Sequence, residues 1–379
     1  MGGSRLKVLV VSNLPPYVMG GAENQVSRLV EVWLAQGAEV EVAGHRIPTG
    51  VQELGAQRLQ THRLFAANGL GRLARGCSYL VSHILFAFRN RSRFDVVYSR
   101  GMGDAALALA LLKALRIVSW KLVVVPINAR GDGDAAFVRS VPFSRFWLSL
   151  LDSQIDAVNL INAAIAEDLE RLGIVHPPRF SIPNGVSVAP AVCRKALADP
   201  RRLVWTGRLE KQKGIDLLLN VLASQRQAGR RFRLSLWGEG SLRGQLQQQV
   251  ERLGMSDCVS FGGALPADQV RSVLEDADAF VLPSRYEGMS NAALEAMEAG
   301  LPVLCTRCGG IDTYVEDGAG WTCAPDDEAA LAQAVGEMLG ADEGGWLARG
   351  RRARELVEEF FSIEQVASRN LDLFRTVCR

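Results

Sequence analysis

The sequence predicts an α/β protein made of two Rossmann-like, doubly wound domains in tandem. Continuous apolar runs such as residues 8–11 and 279–282 are typical of strands buried on both faces, and stretches with helical periodicity separate them. This alternation stops in a segment rich in Pro and Ala after residue 187 and then starts again. The length of 379 residues also exceeds the roughly 250 to 300 residues that one core usually holds.

The first predicted domain covers residues 1–186 and begins with a strand at 8–11. A loop containing Gly20 and Gly21 leads to an amphipathic helix over residues 22–36, which Gly37 ends. The short apolar start, followed by two prolines, indicates a first strand and not a signal peptide. Further strands are predicted at 39–43, 96–99, 122–127 and 157–161.

Residues 187–199 are predicted to be a linker, and residues 200–362 a second domain. Its strands are predicted at 202–205, 233–237, 259–261, 279–282 and 303–305, with helices at 214–227, 242–253 and 291–299. The helix at 291–299 is well specified, because Ser290 is a favourable N-cap, Gly300 suits the position after the helix and Pro302 prevents its continuation. A last helix is predicted around 363–377.

The composition excludes several classes of protein. With 43 basic and 41 acidic residues the net charge is +2, so no nucleic acid partner is expected. The longest apolar stretches fall short of the ~20 residues that span a bilayer, which argues against an integral membrane protein. The seven cysteines are an odd, scattered set, which indicates reduced thiols and a cytoplasmic protein.

Two loops offer candidate binding groups for a phosphorylated ligand. Gly20 and Gly21 lie between a strand and a helix, at the edge of the sheet where α/β proteins bind ligands, although a tight loop without a ligand remains an equal alternative. In the second domain, Arg208 and Lys213 follow a strand in the same way. An arginine fork and a mobile lysine together suit a diphosphate.

The strongest local pattern is the run from Ser284 to Gly300, which contains two spaced carboxylates. Glu287 lies in the loop before the predicted helix and Glu295 lies within it, and we expect both to face one cleft. A carboxylate among Ala, Leu and Met is unusual unless a hydroxyl or a cation binds it. Glu298, by contrast, is predicted to be a solvated helix glutamate.

With these residues in hand, the chain resembles the retaining glycosyltransferases of family 4, the group 1 glycosyltransferases, over nearly its whole length. That family has the GT-B fold, two Rossmann-like domains with an interdomain cleft. The most specific similarity is the pair Glu287 and Glu295 in its surrounding sequence; Gly-Arg-Leu and Lys-Gly within 207–214 and Trp-Gly-Glu-Gly at 237–240 support it.

The resemblance implies a reaction and roles for individual residues. A hexose-type sugar would pass from a nucleotide diphosphate sugar to a glycan, lipid-linked or small-molecule acceptor, in cell-surface polysaccharide synthesis, with no metal and no other cofactor. Arg208 and Lys213 would bind the diphosphate, Glu287 the transferred sugar and Glu295 the ribose. The remaining donor-binding residues would be Gly20, Gly21, Gly238, Gly240, Gly288, Met289, Ser290 and Asn291. The last helix would pack back on the first domain.

The chain departs from the family pattern at two places. The histidine that many members carry after a first-domain strand is missing from residues 124–131, where Asn128 or Arg130 could substitute. The usual Asp after Pro-Asn-Gly-Val is Ser187 here, in what we interpret as a hinge.

Several alternatives remain. Gly238, Gly240 and Gly244 are close to a dinucleotide-binding pattern, as in an NAD(P)-dependent oxidoreductase, but such a pattern is weak evidence alone. A non-catalytic GT-B scaffold would keep the same fold. Asp132 and Asp134 have the spacing of a metal-dependent transferase, although a turn is the preferred interpretation.

Two further segments carry a weaker alternative beside their structural interpretation. Cys305 and Cys308 have half of a zinc-site spacing without a second pair. Residues 62–93, rich in Arg around Leu and Phe, fit either a core helix with basic flanks or peripheral contact with anionic lipid at the inner face of a membrane; the core helix is slightly favoured.

Overall fold

The computed structural model describes residues 5–67, 69, 71–128, 133–190 and 197–379 of the chain. The chain folds into two compact units. Unit 1 comprises residues 1–187 and 363–379, and unit 2 comprises residues 188–362. Within those described ranges, no helix is both long enough and apolar enough to cross a membrane.

Unit 1 is an eight-stranded sheet with helices between its strands. Its elements are β1 (Lys7–Val11), α1 (Gly21–Ala35), β2 (Glu39–Gly44), β3 (Gly50–Leu54), β4 (Gln57–Arg63), α2 (Gly71–Asn90), β5 (Val96–Arg100), α3 (Asp104–Ala114), β6 (Lys121–Val125), α4 (Asp134–Ser140), α5 (Ser144–Gln154), β7 (Ala157–Asn159), α6 (Ala164–Leu172) and β8 (Arg179–Phe180). The strand order is β3-β4-β2-β1-β5-β6-β7-β8, and among the residues described for this unit only β3 with β4 pairs antiparallel.

The central strands of unit 1 account for its sequence pattern. In β1, β5 and β6 four of every five side chains are buried, because helices cover both faces of the sheet. The antiparallel strand β3 forms the edge of the sheet and alternates between half-buried and exposed positions, and its neighbour β4 is polar and buries only Leu59 and Thr61. The sequence of both strands therefore lacks the apolar run on which the other strand predictions depend.

Unit 2 is a second parallel sheet with six strands. Its elements are β9 (Arg201–Thr206), a 3₁₀ turn (Lys211–Lys213), α7 (Ile215–Gln227), β10 (Phe232–Trp237), α8 (Arg243–Arg252), β11 (Val259–Gly263), α9 (Val270–Glu275), β12 (Ala279–Leu282), α10 (Asn291–Glu298), β13 (Val303–Thr306), α11 (Asp312–Tyr314), a π turn (Val315–Ala319), β14 (Gly320–Cys323), α12 (Glu328–Gly340), α13 (Glu343–Leu356) and a second π turn (Val357–Phe361). The strand order is β11-β10-β9-β12-β13-β14.

The last helix, α14 (Ile363–Cys378), belongs to unit 1. It packs on α1, where the Trp33 indole nitrogen donates to the carbonyl of Ala367 at 3.0 Å. The Trp33 ring also meets the Phe374 ring edge to face, with centroids 5.3 Å apart. All three rings of the cluster formed by Trp33, Tyr98 and Phe374 are at most 1% exposed, so the helix closes the core of unit 1.

Candidate functional site

The strand order of unit 2 identifies where its loops diverge. β9 lies between β10 and β12, so the chain leaves β9 towards one side of the sheet and leaves β12 towards the other. Open α/β sheets bind ligands at such a switch point, beyond the carboxyl ends of the strands. The two loops at this point are residues 207–214, after β9, and residues 283–290, after β12.

Each of these loops contributes one charged side chain to an ion pair. The Lys213 ammonium Nζ lies 2.5 Å from Oε1 of Glu287. The Ser284 hydroxyl donates to the same carboxylate oxygen at 2.7 Å. The side chains of Lys213 and Glu287 are 16% and 7% exposed, so the pair is mostly removed from water.

Polar contacts hold the loop after β9 against the loop after β12. The Gln212 side-chain amide donates to the carbonyl of Tyr286 at 2.9 Å, and the backbone N–H of Arg285 donates to the carbonyl of Gln212 at 2.8 Å. The Arg285 guanidinium forms a bidentate pair with Asp216 in the first turn of α7, both contacts at 2.9 Å. Burial tends to raise the pKa of Asp216, but the hydrogen bonds and the charge of Arg285, together with backbone N–H groups at the start of α7, outweigh it, so the pKa lies below its usual value.

Arg285 and Asp216 are site-building residues that the sequence did not identify. Their separation of 69 residues hides the pairing, and an arginine in a loop is usually solvated. The nearest available indication was the position of Arg285, two residues before Glu287.

Gly238 and Gly240 contact a neighbouring loop. A Cβ on Gly238 would collide with the carbonyl oxygen of Gly207, and a Cβ on Gly240 would collide with that of Leu209. The two loops are joined by backbone hydrogen bonds of 2.9 Å from Gly207 to Trp237 and from Leu209 to Glu239. These glycines are therefore needed for loop packing whether or not a ligand also approaches them.

The amino end of α10 contributes the rest of the predicted unit 2 site. Gly288, Met289 and Ser290 are buried in the approach to the helix, and the Ser290 hydroxyl caps it by accepting from the N–H of Ala293 at 3.3 Å. Asn291, the first helical residue, and Glu295, one turn later, are half-buried. A helix start of this kind directs backbone N–H groups and a positive dipole end towards an anion.

Arg208 lies in the loop after β9 and is exposed, and it forms no ion pair with any other residue that the structure describes. It therefore shares the loop of Lys213 without sharing the contact to Glu287.

Two of the predicted unit 1 residues, Gly20 and Gly21, follow a strand at the switch point of the other sheet. β1 lies between β2 and β5, and after it Gly20 is the N-cap of α1 and Gly21 its first residue. Asn128 follows β6, and its N–H lies 3.4 Å from a carboxylate oxygen of Asp134. Arg130 and Asp132 lie outside the described residues.

The interpretation of Asp134 as part of a turn is wrong. Asp134 is the first residue of α4, and its carboxylate also accepts from the backbone N–H groups of Met102 and Ile127, each at 2.6 Å. Burial raises the pKa of this carboxyl, and the backbone hydrogen bonds offset only part of that rise. A short-range turn pattern could not show that the loops after β5 and β6 converge on this carboxylate.

The prediction that Glu298 is solvated is also wrong. Glu298 is 6% exposed, and its carboxylate binds Arg354 at 2.7 Å and Arg271 at 3.0 Å. It further accepts from the backbone N–H of Ala189 at 2.8 Å. The helix pattern around Glu298 suggests a surface position. A local pattern cannot show its partners, because they come from α9, α13 and the start of unit 2.

The cysteine pair at 305 and 308 is buried. Burial raises the pKa of the Cys308 thiol to about 12 and raises that of Cys305 well above its usual value. Metal coordination needs a thiolate, and no group of three or more His, Cys, Asp or Glu side chains among the described residues is arranged to hold a metal ion.

In comparison with known proteins, each unit matches a glycosyltransferase family model. The model of the family described as "Glycosyl transferases group 1" matches residues 200–341, and that described as "Glycosyl transferase 4-like domain" matches residues 20–185.

Relatives with curated names agree with these matches. A glycogen synthase of Mycobacterium tuberculosis is 27% identical over 395 aligned positions, which cover 97% of this chain and 94% of that protein. The 2-deoxystreptamine glucosyltransferase of Streptomyces kanamyceticus is 31% identical over an alignment that covers 79% of this chain and 89% of that protein. The solved structure of Anabaena HepE in complex with UDP-glucose has a TM-score of 0.74 at 18% identity, over 98% of this chain and 100% of that one. The protein therefore belongs to the group 1 glycosyltransferases and has their GT-B fold.

Proposed function

We propose that this glycosyltransferase moves a hexose-type sugar from a nucleotide diphosphate sugar to a glycan, lipid-linked or small-molecule acceptor, with retention of anomeric configuration. The observation that carries the proposal is the ion pair of Lys213 with Glu287 at the switch point of unit 2. The names of the relatives, a glycogen synthase and a glucosyltransferase, support a sugar polymer or a small molecule as acceptor, and the UDP-glucose bound by HepE supports a nucleotide sugar as donor.

The charged groups of unit 2 suit the departure of a nucleoside diphosphate. Lys213 and Arg208 would bind the diphosphate, and the N–H groups at the start of α10 would add partial positive charge. Such fixed charges act most strongly as negative charge develops on the leaving oxygen, so they would lower the barrier and not merely bind the substrate. This stabilisation needs no metal ion, and we propose that the enzyme uses none.

The two carboxylates would bind hydroxyl groups of the donor. Glu287, held by Ser284, would contact the transferred sugar, and Glu295 would accept from the ribose. Once Lys213 turns to the diphosphate, Glu287 keeps the Ser284 hydroxyl as a partner and gains the sugar hydroxyls. The leaving phosphate itself would take the proton of the acceptor hydroxyl on the same face of the sugar.

We also propose a cytoplasmic location. The described cysteines are free thiols, which suits a reducing compartment. The acceptor and its place in cell-surface polysaccharide synthesis are part of the same proposal.

Donor binding tests this assignment directly. The protein is heated with a panel of UDP-, GDP-, ADP- and dTDP-sugars beside NAD and NADP, because a ligand that binds only the native state raises its stability. We expect one nucleotide sugar to stabilise the protein, and we expect Lys213→Ala and Glu295→Ala to weaken its binding roughly tenfold to a hundredfold, the value of one hydrogen bond to a charged group.

Matched controls separate this effect from general damage. Lys211→Ala removes an exposed lysine from the same 3₁₀ turn, and Glu337→Ala removes an exposed glutamate from α12. Both controls should leave donor affinity unchanged. Unchanged affinity in Lys213→Ala and Glu295→Ala would reject the site, and stabilisation by NAD or NADP alone would favour an oxidoreductase.

A further inference from the structure

Helix α2 has one face in the core of unit 1 and a second apolar face in water. Tyr79, His83 and Ala87 follow one another at intervals of four and are at most 9% exposed, so they form the packed face. Val81, Leu85 and Phe88 are 54%, 53% and 66% exposed. At about 100° per residue these three lie on the side of the helix opposite His83.

The segment before the helix extends this apolar face. The Ser82 hydroxyl accepts from the backbone N–H of Phe65 at 2.8 Å, and the Ser78 hydroxyl accepts from that of Ala67 at the same distance. The chain at 65–67 therefore runs along the flank of α2. Phe65 is 65% exposed there. We call Phe65, Val81, Leu85 and Phe88 the apolar face of α2.

The segment of sequence that carries this face has charges of one sign. Between Glu53 and Asp95 the sequence has seven arginines and no acidic residue, although the whole chain carries a net charge of only +2. Arg93 is neutralised by Glu41 at 2.5 Å. Arg89 and Arg91 have no carboxylate partner within the described ranges, and the Arg91 guanidinium lies 5.8 Å from the centre of the Phe88 ring.

We propose that the apolar face of α2, with Arg89 and Arg91 beside it, docks unit 1 on the surface of an anionic lipid bilayer. Aromatic and branched aliphatic side chains beside arginines are the composition of a helix that lies in the plane of a membrane interface. The apolar side chains would enter the boundary between headgroups and acyl chains while the guanidinium groups bind lipid phosphates. A second copy of the chain fits less well, because it would set the same arginines against each other.

This docking does not depend on the identity of the sugar donor, and it would bring unit 1 close to a lipid-linked acceptor. Its test uses the full chain and needs no enzymatic assay. Binding is measured by co-sedimentation with vesicles of phosphatidylcholine alone and of phosphatidylcholine mixed with phosphatidylglycerol. The variants are Leu85→Asn with Phe88→Asn, and Arg89→Gln with Arg91→Gln.

The controls change the same residue types elsewhere. Leu115→Asn with Val175→Asn removes two apolar side chains that are 58% and 54% exposed, and Arg230→Gln with Arg351→Gln removes the same charge from exposed positions of unit 2.

We expect the protein and both control variants to bind the phosphatidylglycerol vesicles, and to bind them less as salt is added. Loss of two arginines should reduce the partition coefficient by roughly 25-fold, since each is worth about fivefold near an anionic surface. The Leu85 and Phe88 variant should reduce it on the order of tenfold or more.

Equal binding to both vesicle types, absence of binding to either, or unchanged binding in both test variants would overturn the proposal. A dimer that dissociates in the Leu85 and Phe88 variant while vesicle binding persists would assign the face to a second copy instead.

Discussion

Lys213 and Glu287 form a mostly buried ion pair whose two members have different proposed ligands. A buried pair gains Coulomb energy but loses hydration, so its presence is weak evidence of net stability. Removing one member is strongly destabilising, because the other charge then stays buried without its charged partner. In the protein without ligand, the two charges therefore neutralise each other, and Lys213 would leave Glu287 when the proposed diphosphate binds.

A double-mutant cycle separates stability from donor binding at this pair. Lys213→Ala and Glu287→Ala should each lower the free energy of unfolding of unit 2 by about 3 kcal/mol, the lower end for a broken buried pair. The double variant should lose clearly less than the sum, since neither charge is then left alone. Urea unfolding measures the stabilities.

For donor affinity, we expect the double variant not to recover as its stability does. Every variant that lacks Lys213 should bind the nucleotide sugar weakly, including the double variant whose stability recovers. Additive losses of stability, with a coupling near zero, would show that the two side chains do not interact in solution.

Helix α10 has a proposed ligand-binding start and an end fixed by ion pairs. At its last residue, Glu298, the carboxylate binds Arg354 and Arg271, and these arginines also donate to the carbonyls of Ala189 and Pro190 at 2.5 and 2.8 Å. Three segments of unit 2 that are distant in sequence thus meet at one carboxylate. Helix α10 is only eight residues long and behaves as one rigid element. The ion pairs at its last residue therefore also fix the direction of its first turn.

Loss of the Glu298 carboxylate should destabilise helix α10. We expect Glu298→Ala to lower the stability of unit 2 by roughly 1.5 to 3 kcal/mol through the loss of charge-assisted hydrogen bonds. The loss is limited because Arg271 keeps its ion pair with Glu275 and Arg354 keeps its ion pair with Glu358. Glu337→Ala, at an exposed helix position, should change it by less than about 0.5 kcal/mol. Thermal or urea unfolding of both variants measures the difference. Equal, small effects would mean that Glu298 is solvated after all.

This helix also shows what could be predicted from the sequence. Its bounds, predicted as 291–299 and observed as Asn291–Glu298, depend on the cap Ser290 and on Gly300, which act locally. The position of Glu287 beside a strand end follows from the same local order. The partners of Glu298 and of Arg285 come from other elements, so no local pattern encodes them. The polar strands β3 and β4 were missed because they lack the continuous buried apolar run of the central strands.

At the scale of the whole chain, unit 1 is completed by the last residues of the sequence. The chain leaves unit 1 after Ser187 and returns at Ile363, and the Ile363 N–H donates to the carbonyl of Val186 at 3.0 Å. At Gly185 a Cβ would come within 3.0 Å of the Ile363 backbone, so the departing and the returning segments pack without space for a side chain. Unit 1 therefore cannot complete its core until the whole of unit 2 has been synthesised.

Phe374→Ala tests whether α14 is an integral part of unit 1. Phe374 is fully buried against Trp33 and Tyr98, so truncation should cost about 3 to 5 kcal/mol through lost burial and the cavity left behind. Hydrogen exchange followed by mass spectrometry should show faster opening of peptides from α1 and β5, with peptides from β9 and β12 unchanged. Leu115→Ala, at an exposed position of the same unit, serves as the control and should alter neither set. Equal acceleration in both units would mean that they unfold as one cooperative body, in which case a change in the last helix would also weaken the proposed donor site.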